Sequence, residues 1–139
     1  MEIRIAKTDT EILSCFETMA QLRSHLNKES FVETVRELET DGFKLAYIED
    51  NKKIVCVAGY RMLSNLCFGK NLYVEDLVTS ENLRSLSYGE KMICWLKEVA
   101  TNEHCKVLHL DSGTHRARAH KFYFSQNFSI SDYHFYMEL

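Results

Sequence analysis

The chain has 139 residues and no proline, whereas average usage would give about seven. This absence excludes Pro-rich linkers, cis-proline turns and Pro-kinked helices. No apolar run approaches the roughly 18 residues of a membrane span, and the N-terminus lacks the basic and apolar regions of a signal peptide. The net charge of -3 lacks the positive excess typical of nucleic-acid-binding proteins. We therefore expect neither a membrane nor a nucleic acid as partner.

Cysteine motifs are also missing. There are five cysteines, an odd number, and they are far apart, with no CxxC and no paired histidine. This spacing predicts neither a disulfide framework nor a metal site. Reduced thiols, mostly buried, are typical of a cytoplasmic protein. The cysteines are Cys15, Cys56, Cys67, Cys94 and Cys105.

Hydrophobic periodicity predicts one domain over residues 1–139 with the order β-α-α-β-β-β-α-β-α-β. Two helices start at the capping boxes Thr8-x-x-Glu11 and Ser30-x-x-Glu33. The later helices span 88–103 and 115–126, and the strands span 2–7, 43–49, 54–62, 72–79, 107–110 and 133–139. A hairpin turn at 50–53 indicates antiparallel pairing early in the chain, and the later strand-helix-strand unit implies a parallel crossover. The fold class is therefore a mixed α+β sheet with helices on its faces.

The most informative segment is 72–90, where a strand enters a short polar loop and then a long helix. Free N–H groups and the helix dipole make such a helix start suited to phosphate. Small residues at 85, 87 and 89 allow close approach of a ligand to the backbone, and Arg84 adds a positive charge. The alternative is that Ser87-x-x-Glu90 is only a capping box.

This segment resembles a known family. Arg84-x-x-Ser87-x-Gly89 is similar to the pyrophosphate loop of the GNAT acetyltransferase superfamily. The upstream stretch Glu75-Asp76-Leu77 is similar to the strand that precedes this loop in the family. A second signature, at 119–123 and 127–128, resembles that family's Ala-x-x-Phe-Tyr followed by Gly-Phe. The two signatures occur in the family's order, separated by a helix and a strand.

The resemblance implies a central mixed, mostly antiparallel sheet of six to seven strands flanked by about four helices. It implies acetyl-CoA as cofactor and direct transfer of the acetyl group to a primary amine of a small molecule or of a lysine side chain. Two splayed strands, 72–79 and 107–111, would leave backbone groups free for the pantetheine and the acetyl carbonyl. The implied cofactor-binding residues are Leu77, Val78, Thr79, Arg84, Ser85, Leu86, Ser87, Tyr88, Gly89 and Phe122.

Catalytic roles follow from the same resemblance. Tyr123 would protonate the departing thiolate, since a tyrosine is neutral at pH 7; the alternative is an aromatic ring packed in the core. Glu75 and Asp76 are the candidate bases for the amine. They should point to opposite faces of an extended strand, unless a bulge reverses the choice. The stretch 73–76 is similar to the corresponding strand of diamine acetyltransferases, in which a glutamate acts as the base through water. Glu75 is therefore the first candidate and Asp76 the second.

The sequence departs from the family pattern at a few positions. Ser85 and Ser87 stand where glycines are usual, and a serine there is strained if the loop requires a positive φ. Asn127 replaces a glycine after the last helix, which asparagine tolerates well. Arg116 stands in place of a cofactor-contacting asparagine, and Glu81 in place of a proline.

Two other functions fit the same sequence. One is a non-catalytic CoA-binding sensor or interaction module on this fold, and the other is an α+β interaction domain without a cofactor. The sequence leaves the acceptor and the oligomeric state open, although an edge strand at the C-terminus could pair two copies into a homodimer.

Overall fold

The computed structural model describes residues 2–139, and Ser85 in its backbone only. The chain divides into two compact units, Met1–His109 and Leu110–Leu139. The strands are β1 Ile3–Ile5, β2 Lys44–Asp50, β3 Lys53–Asn65, β4 Gly69–Thr79 and β5 Val107–Leu110. The α-helices are α1 Asp9–Ser14, α2 Phe16–Leu22, α3 Phe31–Glu39, α4 Tyr88–Asn102 and α5 Ala117–Ser125, and 3₁₀ helices span Lys28–Ser30 and Glu81–Leu86. No helix described is long and apolar enough to cross a membrane.

The five strands form one sheet in the order β1-β2-β3-β4-β5, and the first four pair antiparallel. Strand β5 runs parallel to β4, as shown by two contacts in which the residue numbers rise in the same direction along both strands. The Lys106 amide donates to the Lys70 carbonyl at 2.8 Å, and the His109 ring lies 4.9 Å from that of Tyr73. The predicted mixed α+β class is confirmed, with five strands instead of six to seven.

Local sequence signals account for several boundaries. The Thr8 hydroxyl accepts from the Glu11 amide at 3.1 Å and the Glu11 carboxylate accepts from the Thr8 amide at 2.9 Å, so the first capping box is confirmed. Asn51 and Lys52 have φ of 50° and 61° between the paired residues Asp50 and Lys53. Two positive φ values are what a tight two-residue hairpin turn requires.

Three expectations are wrong. Ser30 makes no capping bond; Asn27 instead caps the 3₁₀ helix ahead of α3. The first predicted helix is divided at Cys15 into α1 and α2. The strand predicted at 133–139 is also wrong, because the structure describes no strand after Leu110. Alternating aromatic residues favour a strand only where a neighbouring strand takes up the backbone hydrogen bonds, and side-chain patterning alone does not supply that partner.

Helices cover both faces of the sheet in the first unit. Helix α4 covers one face, where the Trp95 ring lies 6.0 Å from that of buried Tyr60 of β3. Because side chains alternate along a strand, Gly59 and Arg61 belong to the opposite face. That face packs against α1–α3 in a buried cluster containing Ile12, Phe16, Met19, Phe31, Val35, Phe43, Leu45, Tyr47, Val57 and Val78.

Candidate functional site

A β-bulge in β4 lies at the predicted carboxylate pair. Tyr60 of β3 is opposite Val74, but the preceding residue Gly59 is opposite Asp76, so Glu75 is an extra residue. A residue directly opposite another shares its face, so Val74 belongs to the α4 face and Asp76 to the α1–α3 face. Glu75, which follows Val74 in the alternation, also belongs to the α1–α3 face.

Two arginines contact this pair. The Arg23 Nε donates to Asp76 Oδ1 at 2.8 Å, and its Nη2 donates to the Glu75 carbonyl at 2.9 Å. Arg61 forms an ion pair with the Glu75 carboxylate that is a charge contact and not an aligned hydrogen bond. Arg61 also lies 5.7 Å from the centre of the Phe43 ring. The side chains of Asp76 and Glu75 are 15% and 31% exposed.

Gly59 permits this packing. A Cβ placed on Gly59 would lie 2.5 Å from Asp76 Oδ2 and 2.6 Å from two Phe43 ring carbons, closer than such atoms pack. Asp76 and Phe43 therefore both lie directly over the Gly59 backbone. The expectation that Glu75 and Asp76 face opposite ways is wrong, because the bulge interrupts the alternation on which it depended. The structure brings both carboxylates to the face covered by α1–α3.

Three of the cofactor residues predicted from the resemblance, Leu77, Val78 and Thr79, follow on the same strand. Residues 77–79 end β4, and the contacts of β5 with this strand lie earlier along it, at Lys70 and Tyr73. The Ser80 amide then donates to the Val55 carbonyl at 2.8 Å and the Glu81 amide to Gln21 Oε1 at 2.9 Å. A 3₁₀ helix over Glu81–Leu86 leads to α4, and Arg84 is exposed.

Helix α4 starts without a side-chain cap. Ser87 precedes its first residue with φ 64° and ψ 18°, the left-handed conformation, and its side chain makes no capping hydrogen bond. The alternative interpretation of Ser87-x-x-Glu90 as a capping box is therefore wrong, because an N-cap serine needs an extended backbone to reach the next amides. The first N–H groups of α4 have no acceptor within the helix. They fit an anionic ligand.

We expect Ser87→Gly to stabilise the protein by about 1 kcal/mol, since glycine adopts the left-handed conformation without the Cβ penalty. Ser87→Ala is the matched control, and we expect it to change stability by less than about 0.5 kcal/mol because the hydroxyl makes no capping bond. Urea unfolding measures both. A glycine variant no more stable than the alanine variant would contradict the left-handed geometry.

Tyr88 fixes the start of α4 to the sheet. Its side chain is buried, and its hydroxyl donates to Asp50 Oδ2 at the end of β2. This hydrogen bond to a carboxylate raises the pKa of Tyr88. The Tyr88 hydroxyl is thus engaged with Asp50, so of the polar groups of this residue only those of the backbone are assigned to a ligand. A surface groove of about 530 Å³ runs along α4 and shares only Ser87 with the predicted cofactor residues.

Tyr123 lies on α5 in the second unit. Its ring is half-buried between Phe122 and Phe128, with ring centres 5.5 and 5.7 Å away in edge-to-face arrangements. Burial raises the pKa of Tyr123, and the positive charge of Arg116 opposes this in part. A raised pKa keeps the phenol protonated at pH 7, as a proton donor requires.

The end of α5 agrees with the expectation for Asn127. This residue has φ 65°, and its amide donates to the Phe124 carbonyl at 3.0 Å. The Phe128 amide donates to the Tyr123 carbonyl, also at 3.0 Å. The two bonds form a Schellman motif, in which asparagine takes the position usual for glycine.

Four site residues were missed by the sequence analysis: Arg23, Phe43, Gly59 and Arg61. Gly59 carried a usable signal, because a glycine inside a strand pattern often marks a bulge or a close approach. The two arginines carried none, since an arginine at the end of a helix or in an alternating strand is ordinary surface composition.

Comparisons with known proteins give one family match and several solved structures with a similar fold. The sequence model of the Acetyltransferase (GNAT) family matches residues 10–128. The chain is 27% identical over 119 residues to the "Uncharacterized N-acetyltransferase YhdJ" of Bacillus subtilis (strain 168), covering 84% of each protein.

Solved structures are similar over nearly the whole chain. A transcriptional regulator from Bacillus halodurans C-125 has a TM-score of 0.86 at 22% identity, covering 99% of both chains. A putative acetyltransferase from Agrobacterium tumefaciens has a TM-score of 0.85 at 22% identity, covering both chains fully at 100%. The aminoglycoside N-acetyltransferase AAC(6')-Iy in complex with CoA has a TM-score of 0.85 at 14% identity, covering 99% of this chain and 93% of that one. These likenesses show the fold.

Proposed function

Because the chain belongs to the acetyltransferase (GNAT) family, we propose that it transfers the acetyl group of acetyl-CoA directly to the primary amine of a small molecule. One observation carries the proposal: β4 leads from the bulged carboxylate pair through one short 3₁₀ helix to the uncapped start of α4. Groups that suit an amine and groups that suit a diphosphate thus lie on consecutive segments. The name of AAC(6')-Iy, a solved structure with this fold, supports a small-molecule acceptor.

The proposed cofactor contacts follow from which groups are available. The first N–H groups of α4, with exposed Arg84, fit the pyrophosphate of CoA. The backbone of Leu77–Thr79 is assigned to the pantetheine and to the acetyl carbonyl, where a fixed N–H donor favours the developing negative charge. When bound, acetyl-CoA supplies the thioester that is transferred. The remaining assigned residues are Ser85, Leu86, Ser87, Tyr88, Gly89 and Phe122.

Proton transfers are assigned to three side chains. Glu75 takes a proton from the incoming amine, because its carboxylate is more exposed than that of Asp76. Asp76 holds Arg23 and is the second candidate base. Tyr123 donates a proton to the leaving thiolate, a role supported by its raised pKa.

We place the protein in the cytoplasm, because its described cysteines are all free thiols.

We expect CoA at 100 times its Kd to stabilise the protein by about 2.7 kcal/mol, which corresponds to roughly 10 °C in Tm. Adenosine, which lacks the diphosphate, is the control and should produce no comparable shift. Differential scanning fluorimetry measures both ligands. The absence of any shift at saturating CoA would overturn the cofactor assignment and with it the proposed function.

Turnover separates an enzyme from the alternative of a CoA sensor. Acetyl-CoA is mixed with a panel of primary amines, and free thiol release is followed with a thiol reagent. Release that depends on the amine supports acetyl transfer. A CoA-dependent thermal shift without thiol release on any amine would instead support a non-catalytic CoA-binding module.

A further inference from the structure

We propose that Arg23 binds a carboxylate of the acceptor, so that the acceptor is a small amine that also carries a carboxylate group, such as an amino acid. The inference rests on the proposed function and specifies its substrate class. Arg23 lies at the end of α2, next to the bulge that presents Glu75 and Asp76.

Arg23 is fixed along one edge of its guanidinium. An arginine has five N–H donors. Nε donates to Asp76 Oδ1 and Nη2 donates to the Glu75 carbonyl, so the Nε–Nη2 edge is engaged. Among the residues that the structure describes, no acceptor is paired with the other three N–H groups. The three remaining N–H groups lie at the Nη1–Nη2 end of the guanidinium. This end has the geometry for a bidentate contact with a carboxylate.

This end of the side chain is accessible. The Arg23 side chain is 43% exposed, whereas Asp76 beneath it is 15% exposed. Asp76 is itself held over Gly59, where there is no room for a Cβ. The arginine is therefore positioned by a packed carboxylate and a strand carbonyl and still presents donors outward. Such pre-organisation lowers the entropy cost of binding an anion.

The charges of the site favour an acceptor with both signs. Glu75 and Asp76 contribute two negative charges, and Arg61 and Arg23 contribute two positive charges in direct contact with them. A site for an amine with several positive charges gains from a net negative potential, which this balanced cluster lacks. A zwitterion matches it: the amine lies toward the carboxylates and the carboxylate toward the open end of Arg23.

Matched acceptor pairs test the proposal. Phenylalanine, glutamate and lysine are each compared with the corresponding α-carboxamide, which keeps the α-amine and removes the charge of the α-carboxylate. We expect the wild-type protein to favour at least one free amino acid over its carboxamide by about 10-fold or more in kcat/KM, the range of a bidentate charged contact. In Arg23→Gln that preference disappears through a higher KM for the amino acid, while the KM for acetyl-CoA changes little.

Arg36→Gln is the matched control. Arg36 is 39% exposed and also contacts two carboxylates, Asp9 and Glu39, but it lies on α3. It should leave the preference unchanged. Arg23→Lys keeps the positive charge and the ion pair with Asp76, so it tests the fork geometry if the glutamine variant fails to fold. We expect it to lose most of the preference.

Binding measurements keep the two proposals distinguishable. Calorimetric titration of phenylalanine and of its carboxamide into the protein saturated with CoA reports acceptor affinity without turnover. Turnover on carboxamides or on other amines without a carboxylate preference would overturn the role of Arg23 and leave the acetyltransferase standing. No turnover on any amine, with CoA bound, would overturn the proposed function, whereas carboxylate-selective binding lost in Arg23→Gln would still support the arginine site.

Discussion

Tyr123→Phe is expected to lower kcat by about 100-fold or more, the usual contribution of a positioned general acid. The phenylalanine ring keeps the edge-to-face contacts with Phe122 and Phe128, so the substitution removes the proton donor and leaves the aromatic cluster. Binding of acetyl-CoA should change little. Steady-state kinetics give kcat and KM separately, and thermal unfolding verifies that the variant is folded.

Tyr136→Phe is the control for this substitution, since Tyr136 belongs to the same unit and is 84% exposed. It should leave kcat within about twofold. An unchanged rate in Tyr123→Phe would mean that Tyr123 is only a packed aromatic side chain and would remove it from the mechanism. The raised pKa of Tyr123 adds a pH signature: a phenol donates only while protonated, so its contribution should persist to a higher pH than that of an ordinary tyrosine before it is lost.

Gly59→Ala is expected to destabilise the protein by about 1–3 kcal/mol, the range for an overpacked site. Its new methyl group would lie within 2.6 Å of Asp76 and of the Phe43 ring, so both side chains or the strand backbone must move. Displacement of Asp76 also releases Arg23, and acceptor selectivity should fall with stability. Urea unfolding with a fixed m-value gives the change in the free energy of unfolding.

A double-mutant cycle with Phe43→Leu identifies the source of the strain. Removing the ring relieves one of the two close contacts of the new methyl group, so the double variant should be more stable than the sum of the single effects predicts. If the effects of the two substitutions on stability simply add, the Phe43 ring is not displaced by the new methyl group of Gly59→Ala. A Gly59→Ala variant as stable as the wild type would contradict the close packing over Gly59.

The order of most elements could be read from the sequence because their signals are local. The Thr8 capping box, the 50–53 turn and the helical periodicity of α4 each depend on residues close together in the chain. The last strand could not be read this way. Its alternation of aromatic and polar residues indicates which face of a strand would be buried. A strand forms only where a partner distant in the sequence takes up its backbone hydrogen bonds, and no local pattern identifies that partner.

The candidate site divides in the same manner. Sequence motifs alone identified the carboxylates Glu75 and Asp76, the segment from Arg84 to Gly89 and Tyr123 as candidate site residues. They left open whether the loop requires a positive φ, and the structure decides this for Ser87, whose φ is 64°. Only the pairing of β4 with β3 decided where the two carboxylates point. One extra residue at Glu75 changes the face of every side chain on one side of it.

What the sequence determined by itself is the family, the order of most elements and the chemical groups available, because these reside in short stretches of chain. The tertiary structure decided which groups meet. Arg23 and Asp76 are 53 positions apart, and they touch because α2 packs over a bulged strand above a glycine. Contacts of that range depend on strand register and on the space left by a missing Cβ, neither of which is encoded in a local pattern.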